Sequence, residues 1–218
     1  MSLAYLGSAA RRAPAWTVIV ATVCAIAFSG LAILVAAGAT RDLDLATVHA
    51  FQSVASYPLD VAVNIHTIFG QAAVTVPMCI GLAIIAQRRF GSYAWVAPML
   101  LLATVSIETV FKYLIDTPPH PHELVRALWN PLSIPREIQP PNSFPSGHVT
   151  RISFVSMMAA GIYPSRGAYA AAIAVMAASV FARVYIGDHW ISDAIAGVAV
   201  GAGVGAVGVA WMRATGRR

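Results

Sequence analysis

The chain of 218 residues is 58% hydrophobic and only 11% charged, and its mean hydropathy is +0.71. Soluble domains carry roughly a quarter charged residues, so this composition excludes an ordinary soluble domain and predicts a single membrane domain over residues 1–218. The net charge of +5 does not indicate a nucleic-acid partner, because the cations are scattered and do not gather on one face or tail.

Six apolar runs predict an all-helical fold with six transmembrane helices, because each run approaches the roughly 20 residues that a span requires. The runs cover about residues 16–39, 62–86, 93–115, 146–163, 168–187 and 189–212. The first run is longer than the apolar core of about 7–15 residues in a signal peptide, so we expect it to remain as a span. Its end, Ala37-Gly38-Ala39, leaves signal cleavage as the alternative.

Two polar segments and one glycine pattern complete the organisation of the chain. Residues 41–60 form a polar interlude after the first run, and residues 116–145 form a Pro-rich loop before the fourth. A loop of that length is a common place for functional residues. The last run carries small residues at a spacing that favours close contact with another helix. They are Gly197, Gly201, Gly205 and Gly208.

Loop charges predict the orientation, because cationic loops stay on the cytoplasmic side of a membrane. The charged residues on one side are all arginines: Arg11, Arg12, Arg88, Arg89, Arg166, Arg213, Arg217 and Arg218. The other side carries all the acidic residues with the remaining cations. We therefore expect both termini in the cytoplasm and the mixed-charge side facing outward. The excess of Arg over Lys fits a GC-rich bacterium, which suggests the bacterial inner membrane.

Ionisable side chains at the outward ends of spans are functional candidates, because they are costly to place near hydrocarbon. His189 and Asp193 are four residues apart and therefore share a helix face. A carboxylate there can hold one imidazole nitrogen and leave the other free for a reacting atom. The alternative is a buried His–Asp hydrogen bond without a catalytic role.

The sequence Pro145-Ser146-Gly147-His148 leads from the long loop into the fourth run. The free N–H groups and the positive dipole end of a helix start can bind an anion, and His148 would stand beside it as a proton donor. The alternative is a Ser146 N-cap followed by an incidental histidine.

Two cations face the same side. Lys112, the only lysine, either reaches a phosphate or pairs with Glu108 one turn earlier. Arg183 either offers a bidentate fork to that phosphate or extends to the interface. Together with two histidines and a helix start, these residues indicate a phosphate site.

At these residues the sequence resembles the type 2 phosphatidic acid phosphatase superfamily, whose signature is three separated blocks in a six-helix membrane core. The second block, Pro-Ser-Gly-His, is complete at residues 145–148. The third block is Ser-Arg, five residues, His, three residues, Asp. It is present with Ala182 in place of the Ser, followed by Arg183, His189 and Asp193.

The first block of that family, Lys, six residues, Arg-Pro, is incomplete. Counting from Lys112 places Pro119 and His120 where Arg-Pro is expected, so one arginine is absent. Arg151, Arg126 and Arg136 are possible replacements. We expect Arg151 to take this role, because it lies three residues after His148 on the same helix face.

The resemblance implies metal-independent hydrolysis of a phosphomonoester or diphosphate through a phosphohistidine. It assigns nucleophilic attack to His189, orientation of that histidine to Asp193, and protonation of the leaving oxygen to His148. The residues it assigns to the phosphoryl oxygens are Lys112, Ser146, Gly147 and Arg183.

The expected partners are the membrane and a lipid phosphate: a polyprenyl phosphate or diphosphate, phosphatidic acid or phosphatidylglycerophosphate. The same site could instead transfer the phosphoryl group to another lipid, or a degenerate member could bind headgroups without catalysis. A transporter is disfavoured, because the charges gather at one face. No metal or cofactor is expected, since His120-Pro121-His122 lies in a Pro-interrupted loop without a second converging cluster. The sequence gives no indication of an oligomeric state.

Overall fold

The computed structural model describes residues 13–91, 93–126, 128 and 140–215. All regular secondary structure in this part of the chain is helical. The helices are α1 (Ala15–Ala36), α2 (Arg41–Gln52), α3 (Tyr57–Ile68), α4 (Ala72–Phe90), α5 (Val96–Met99), α6 (Leu101–Leu114), α7 (Gly147–Ile162), α8 (Arg166–Tyr185) and α9 (Ile191–Thr215), with a 3₁₀ turn at His122–Leu124.

Five stretches of the described residues are long and apolar enough to cross a membrane. They are Ala15–Ala36, Ala72–Phe90, Val96–Leu114, Arg166–Tyr185 and Ile191–Thr215. The predicted span at 146–163 corresponds to α7, which has 16 residues. At 1.5 Å per residue its length is about 24 Å, less than the ~30 Å hydrocarbon core.

The predicted span at 62–86 is divided between two helices. Helix α3 ends at Ile68, and α4 begins at Ala72 after an extended residue, Gln71. Gly70 in this break lies against α7, where an added Cβ would come within 2.9 Å of the His148 side chain. The break therefore lets the chain approach the start of α7 closely.

The polar interlude at 41–60 folds into α2 and the beginning of α3. Both helices bury polar as well as apolar residues: Asp44 and Val48 in α2, and Asp60, Val63 and Thr67 in α3. This spacing is helical, but its hydrophobic signal is weak because two of the buried residues are acidic.

Helices α7 and α9 pack along the predicted glycine stripe. A Cβ at Gly197 would lie 2.7 Å from the Ser146 carbonyl oxygen, and one at Gly201 would overlap the Thr150 carbonyl oxygen. The next member, Gly205, lies against a methionine side chain of α7. Close backbone contact therefore holds the two helices together at the end where both begin.

The arginine-rich end of the bundle is opposite to the start of α7 and α9. There the Arg89 guanidinium lies 4.9 Å from the Tyr163 ring centroid. Arg213 lies 5.3 Å from the Phe90 ring centroid and donates to the Gly161 carbonyl oxygen at 2.9 Å. Arg89 and Arg213 thus contact ring faces and a helix end away from the ionisable cluster.

Candidate active site

The ionisable residues expected from the sequence come together at one end of the bundle. They are Lys112 near the end of α6, His148 and Arg151 near the start of α7, Arg183 near the end of α8, and His189 and Asp193 at the start of α9. The charges of Lys112, Arg151 and Arg183 all act on His148. Motifs that are far apart in the chain therefore form one electrostatic cluster.

His189 contacts Asp193, as their four-residue spacing predicts, but it lies in the turn two residues before α9 and not on a shared helix face. The His189 Nδ1 atom lies 3.4 Å from Asp193 Oδ2, and both side chains are buried. The backbone N–H of Trp190 donates to the same carboxylate oxygen at 3.2 Å. Asp193 also joins α9 to α7, because its carbonyl oxygen accepts a hydrogen bond from the Ser146 N–H at 3.0 Å.

A tight connection between α8 and α9 places Arg183 beside His189. The backbone N–H groups of Asp188 and His189 both donate to the Arg183 carbonyl oxygen at 3.3 Å. Gly187 has φ +73°, and an added Cβ would overlap the Leu124 carbonyl oxygen, so only glycine fits this turn. The Arg183 guanidinium also pairs with Asp188 at 3.0 Å.

The start of α7 presents several unused donors. The first N–H groups of a helix have no acceptor within the helix, and α7 begins at Gly147. In the described part of the chain, three buried groups beside this helix start that can donate have no hydrogen-bond partner: Ser146 Oγ, His148 Nε2 and Arg183 Nε, and the acceptor Asp193 Oδ1 is also unpartnered. Buried polar atoms normally have partners, so a ligand with several acceptor oxygens suits this site.

Glu108 is a site residue whose importance the sequence did not reveal. Its carboxylate lies 3.7 Å from Lys112 Nζ, the pairing considered as an alternative, and 3.0 Å from the Arg151 guanidinium. Arg151 Nε also donates to the Gly70 carbonyl oxygen at 2.9 Å. The expected phosphate-binding arginine is therefore held by protein groups, and its pairing across two helices has no signal in local sequence.

Arg126 is engaged elsewhere. Its guanidinium donates two hydrogen bonds to Asp60, at 2.8 and 2.7 Å, and the Tyr185 hydroxyl donates to the same carboxylate at 2.7 Å. The hydrogen bonds from Arg126, followed by that from Tyr185, lower the pKa of Asp60. Arg136, the remaining possible replacement, lies outside the described residues.

The loop after α6 brings another histidine to the cluster. The His120 ring stacks on Trp190, with centroids 4.2 Å apart, and stands edge-on to His189 at 6.5 Å. Burial lowers the pKa of His120. In the sequence, His120 stands where the first block departs from Arg-Pro and within a weak metal motif. Among the described residues no three His, Cys, Asp or Glu side chains converge as metal ligands would.

Ala182, the departure from the third block, lies in apolar packing. It is 2% exposed and belongs to a cluster with Val63 and Ile186. A methyl group suits this environment, and the neighbouring Arg183 still points into the ionisable cluster.

Comparisons with known proteins give a family and a similar fold. The family model described as the PAP2 superfamily matches residues 92–217. A solved structure of a transmembrane PAP2-type phosphatidylglycerolphosphate phosphatase from Bacillus subtilis is similar, with a TM-score of 0.69 and 18% identity. The similarity covers 86% of this chain and 93% of that one. At this identity the similarity shows a shared fold. No protein with a curated description matches the sequence.

Proposed function

We propose that this chain, which belongs to the PAP2 superfamily, hydrolyses a lipid phosphate or diphosphate through a phosphohistidine, without a metal ion. Members of this superfamily are generally phosphatases. One observation carries the proposal: the buried and unpartnered Ser146 Oγ, His148 Nε2 and Arg183 Nε, within the described residues, lie beside the His189–Asp193 pair. This arrangement combines donors for an oxyanion with a nucleophile and the carboxylate that orients it.

In the proposed reaction His189 attacks phosphorus. Asp193 faces Nδ1, which favours a proton on that nitrogen and leaves Nε2 with its lone pair. A nitrogen–phosphorus bond forms as the phosphorus–oxygen bond to the lipid breaks, and His148 gives its proton to the departing oxygen. Water then attacks the phosphohistidine, His148 takes the water proton, and inorganic phosphate leaves with both histidines restored.

The phosphoryl oxygens are held by charge and by N–H groups. Arg183 and Lys112 supply positive charge, while Ser146 and the N–H of Gly147 supply donors at the positive end of α7. These groups stabilise the negative charge that develops in the transition state, which is commonly the largest contribution in such sites.

Arg151 takes a supporting role in this proposal, in place of direct phosphate binding. It anchors Glu108, which in turn contacts Lys112. The position of the lysine at the phosphate thus depends on an ion pair across α6 and α7. The remaining positive charge of Arg151 still contributes to the field at the phosphate.

The proposed substrate is a lipid, because the site lies where several apolar helices end. A phosphate at headgroup depth reaches it while the acyl or prenyl tail stays among the helices. The similar solved structure is that of a phosphatidylglycerolphosphate phosphatase. That lipid therefore stands first in the test, followed by phosphatidic acid and polyprenyl mono- and diphosphates. We place the site on the outward side of a bacterial inner membrane, on the basis of the loop charges.

The test is phosphate release by the purified protein in detergent containing EDTA. We expect turnover of at least one lipid phosphate, its loss in His189→Ala and His148→Ala, and its retention in His49→Ala. His49 is an exposed histidine of α2 and serves as the matched control. If the folded protein releases no phosphate from any of these lipids, the proposed hydrolysis is wrong. Transfer to an added lipid alcohol would then identify a phosphotransferase, and binding without turnover would identify a headgroup-binding protein.

A further inference from the structure

His120 is held in a fixed position against the residue that follows the proposed nucleophile. Its ring lies nearly parallel to that of Trp190, at an angle of 21° and a centroid distance of 4.2 Å. Trp190 is itself fixed, because its indole N–H donates to the Pro118 carbonyl oxygen at 3.2 Å and its backbone N–H donates to Asp193. The position of His120 is therefore coupled to that of the His189–Asp193 pair.

The Nε2 atom of His120 is buried and has no hydrogen-bond partner in the part of the chain that the structure describes. The ring stands edge-on to His189 at a centroid distance of 6.5 Å, and no hydrogen bond joins the two histidines. Among the described residues, four other atoms of the cluster share this lack of a partner: Ser146 Oγ, His148 Nε2, Arg183 Nε and the acceptor Asp193 Oδ1. A phosphoryl group bound at His189 would supply an acceptor for the His120 nitrogen.

We propose that His120 binds the phosphate, with Nε2–H as a donor to an oxygen of the phosphoryl group that His189 attacks. This inference rests on the proposed function. It assigns His120 the contact that was expected of Arg151, whose guanidinium is held by Glu108 and Gly70. It also gives a role to the position eight residues after Lys112, where the sequence departs from the expected Arg-Pro.

A histidine at this position makes phosphate binding depend on pH. The charged and titratable groups that act on His120 are Arg183, the neighbouring His189, and the carboxylates of Asp44, Asp188 and Asp193. Without a ligand, burial lowers the pKa of the ring, so it is neutral at neutral pH. A phosphate dianion in contact with the ring raises that pKa, because an opposite charge favours the protonated form. The contribution of His120 to phosphate binding is therefore larger at lower pH, where the ring takes up a proton.

The test compares inhibition by inorganic phosphate in four variants of the full-length protein. His120→Phe keeps a flat ring on Trp190 but removes the donor, and His120→Ala removes both. His120→Arg supplies a permanent charge, while His122→Ala is the control, an exposed histidine of the same loop. Each inhibition constant is measured at about pH 6 and about pH 8, on either side of the ordinary histidine pKa.

We expect His120→Phe and His120→Ala to weaken phosphate inhibition about tenfold at the lower pH, the range of a hydrogen bond to a charged group. The loss should be smaller at the higher pH, where the wild-type ring is neutral. His120→Arg should bind phosphate with less pH dependence than the wild type, and His122→Ala should match the wild type. Comparison within one pH cancels the ionisation of phosphate itself.

An inhibition constant for phosphate in His120→Phe equal to that of the wild type would overturn the proposal, because the ring would then act only by packing. Equal losses in His120→Phe and His122→Ala would also overturn it. Failure of the proposed function gives a different result, namely no phosphate release by the wild type. In that case calorimetric titration of the same variants with inorganic phosphate tests His120 without turnover: a binding loss specific to His120→Phe supports the proposal, and unchanged binding rejects it.

Discussion

Asp44 accepts two hydrogen bonds from Ser192, one from the backbone N–H at 2.9 Å and one from the hydroxyl at 3.0 Å. A carboxylate of α2 thereby caps the start of α9, the helix that begins two residues after His189. Caps of this kind usually come from the residue just before the helix. Here the cap lies on another helix, so the polar segment after α1 helps to position the proposed nucleophile.

Asp44→Ala should destabilise the protein by about 1–2 kcal/mol, because loss of a helix cap usually costs this much. Asp42→Ala is the matched control, since Asp42 is an exposed acid in the same turn of α2. Thermal unfolding in detergent measures both variants. Equal unfolding midpoints for the two variants would show that the cap does not stabilise α9.

Gly147→Ala should reduce both stability and phosphate release, because a Cβ at this position would overlap the Glu108 carboxylate. The displaced carboxylate would also disturb Lys112 and Arg151. Gly167→Ala is the control: it lies in the first turn of α8, where the nearest atom would be 3.9 Å from the added Cβ. Comparable turnover in the two variants would contradict the close packing of α6 against α7.

Replacing Arg151 alone should lower the stability of the protein more than replacing Arg151 and Glu108 together. Among the residues that the structure describes, Arg151→Met leaves the largely buried Glu108 with only the more distant Lys112 as an ionic partner. We therefore expect the double variant Glu108→Gln/Arg151→Met to unfold at a higher temperature than Arg151→Met. A double-mutant cycle measures the coupling, for which we expect roughly 1–3 kcal/mol. A coupling energy near zero would show that the Glu108–Arg151 pair does not stabilise the fold.

Asp60 should make the stability depend on pH in the acidic range. Hydrogen bonds from Arg126 lower its pKa in the folded protein, so its contribution is present above the unfolded value of about 4 and is lost as the pH falls below it. Asp60→Asn should be less stable than the wild type at neutral pH, and the difference should shrink on acidification below about pH 4. A constant difference in unfolding midpoint over this range would contradict the ionised Asp60–Arg126 pair.

The sequence could predict the features that depend on local spacing. The helical membrane fold follows from long apolar runs, and the contact between His189 and Asp193 follows from their position one turn apart. The glycine stripe of α9 likewise carries its spacing in the sequence. Each of these relationships connects residues within one helix or one continuous apolar run.

The remaining features depend on contacts between distant segments. The apolar run at 62–86 divides into two helices where Gly70 packs against His148, a contact between segments far apart in the chain. Asp44 lies far from Ser192 in the chain. Two of the three acids of the polar interlude, Asp44 and Asp60, are buried because their partners come from other segments. His120 lies in the loop that the sequence predicts, but its stacking on Trp190 has no counterpart in local sequence.

In the proposed reaction His189 becomes covalently phosphorylated, and rapid quenching detects this intermediate. Purified protein is mixed with a radiolabelled lipid phosphate that it turns over, quenched with alkali and digested, and the labelled peptide is identified. We predict an alkali-stable, acid-labile label on the peptide containing His189, and its absence in His189→Ala. Turnover by His189→Ala at the wild-type rate, or a label on another residue, would contradict the account.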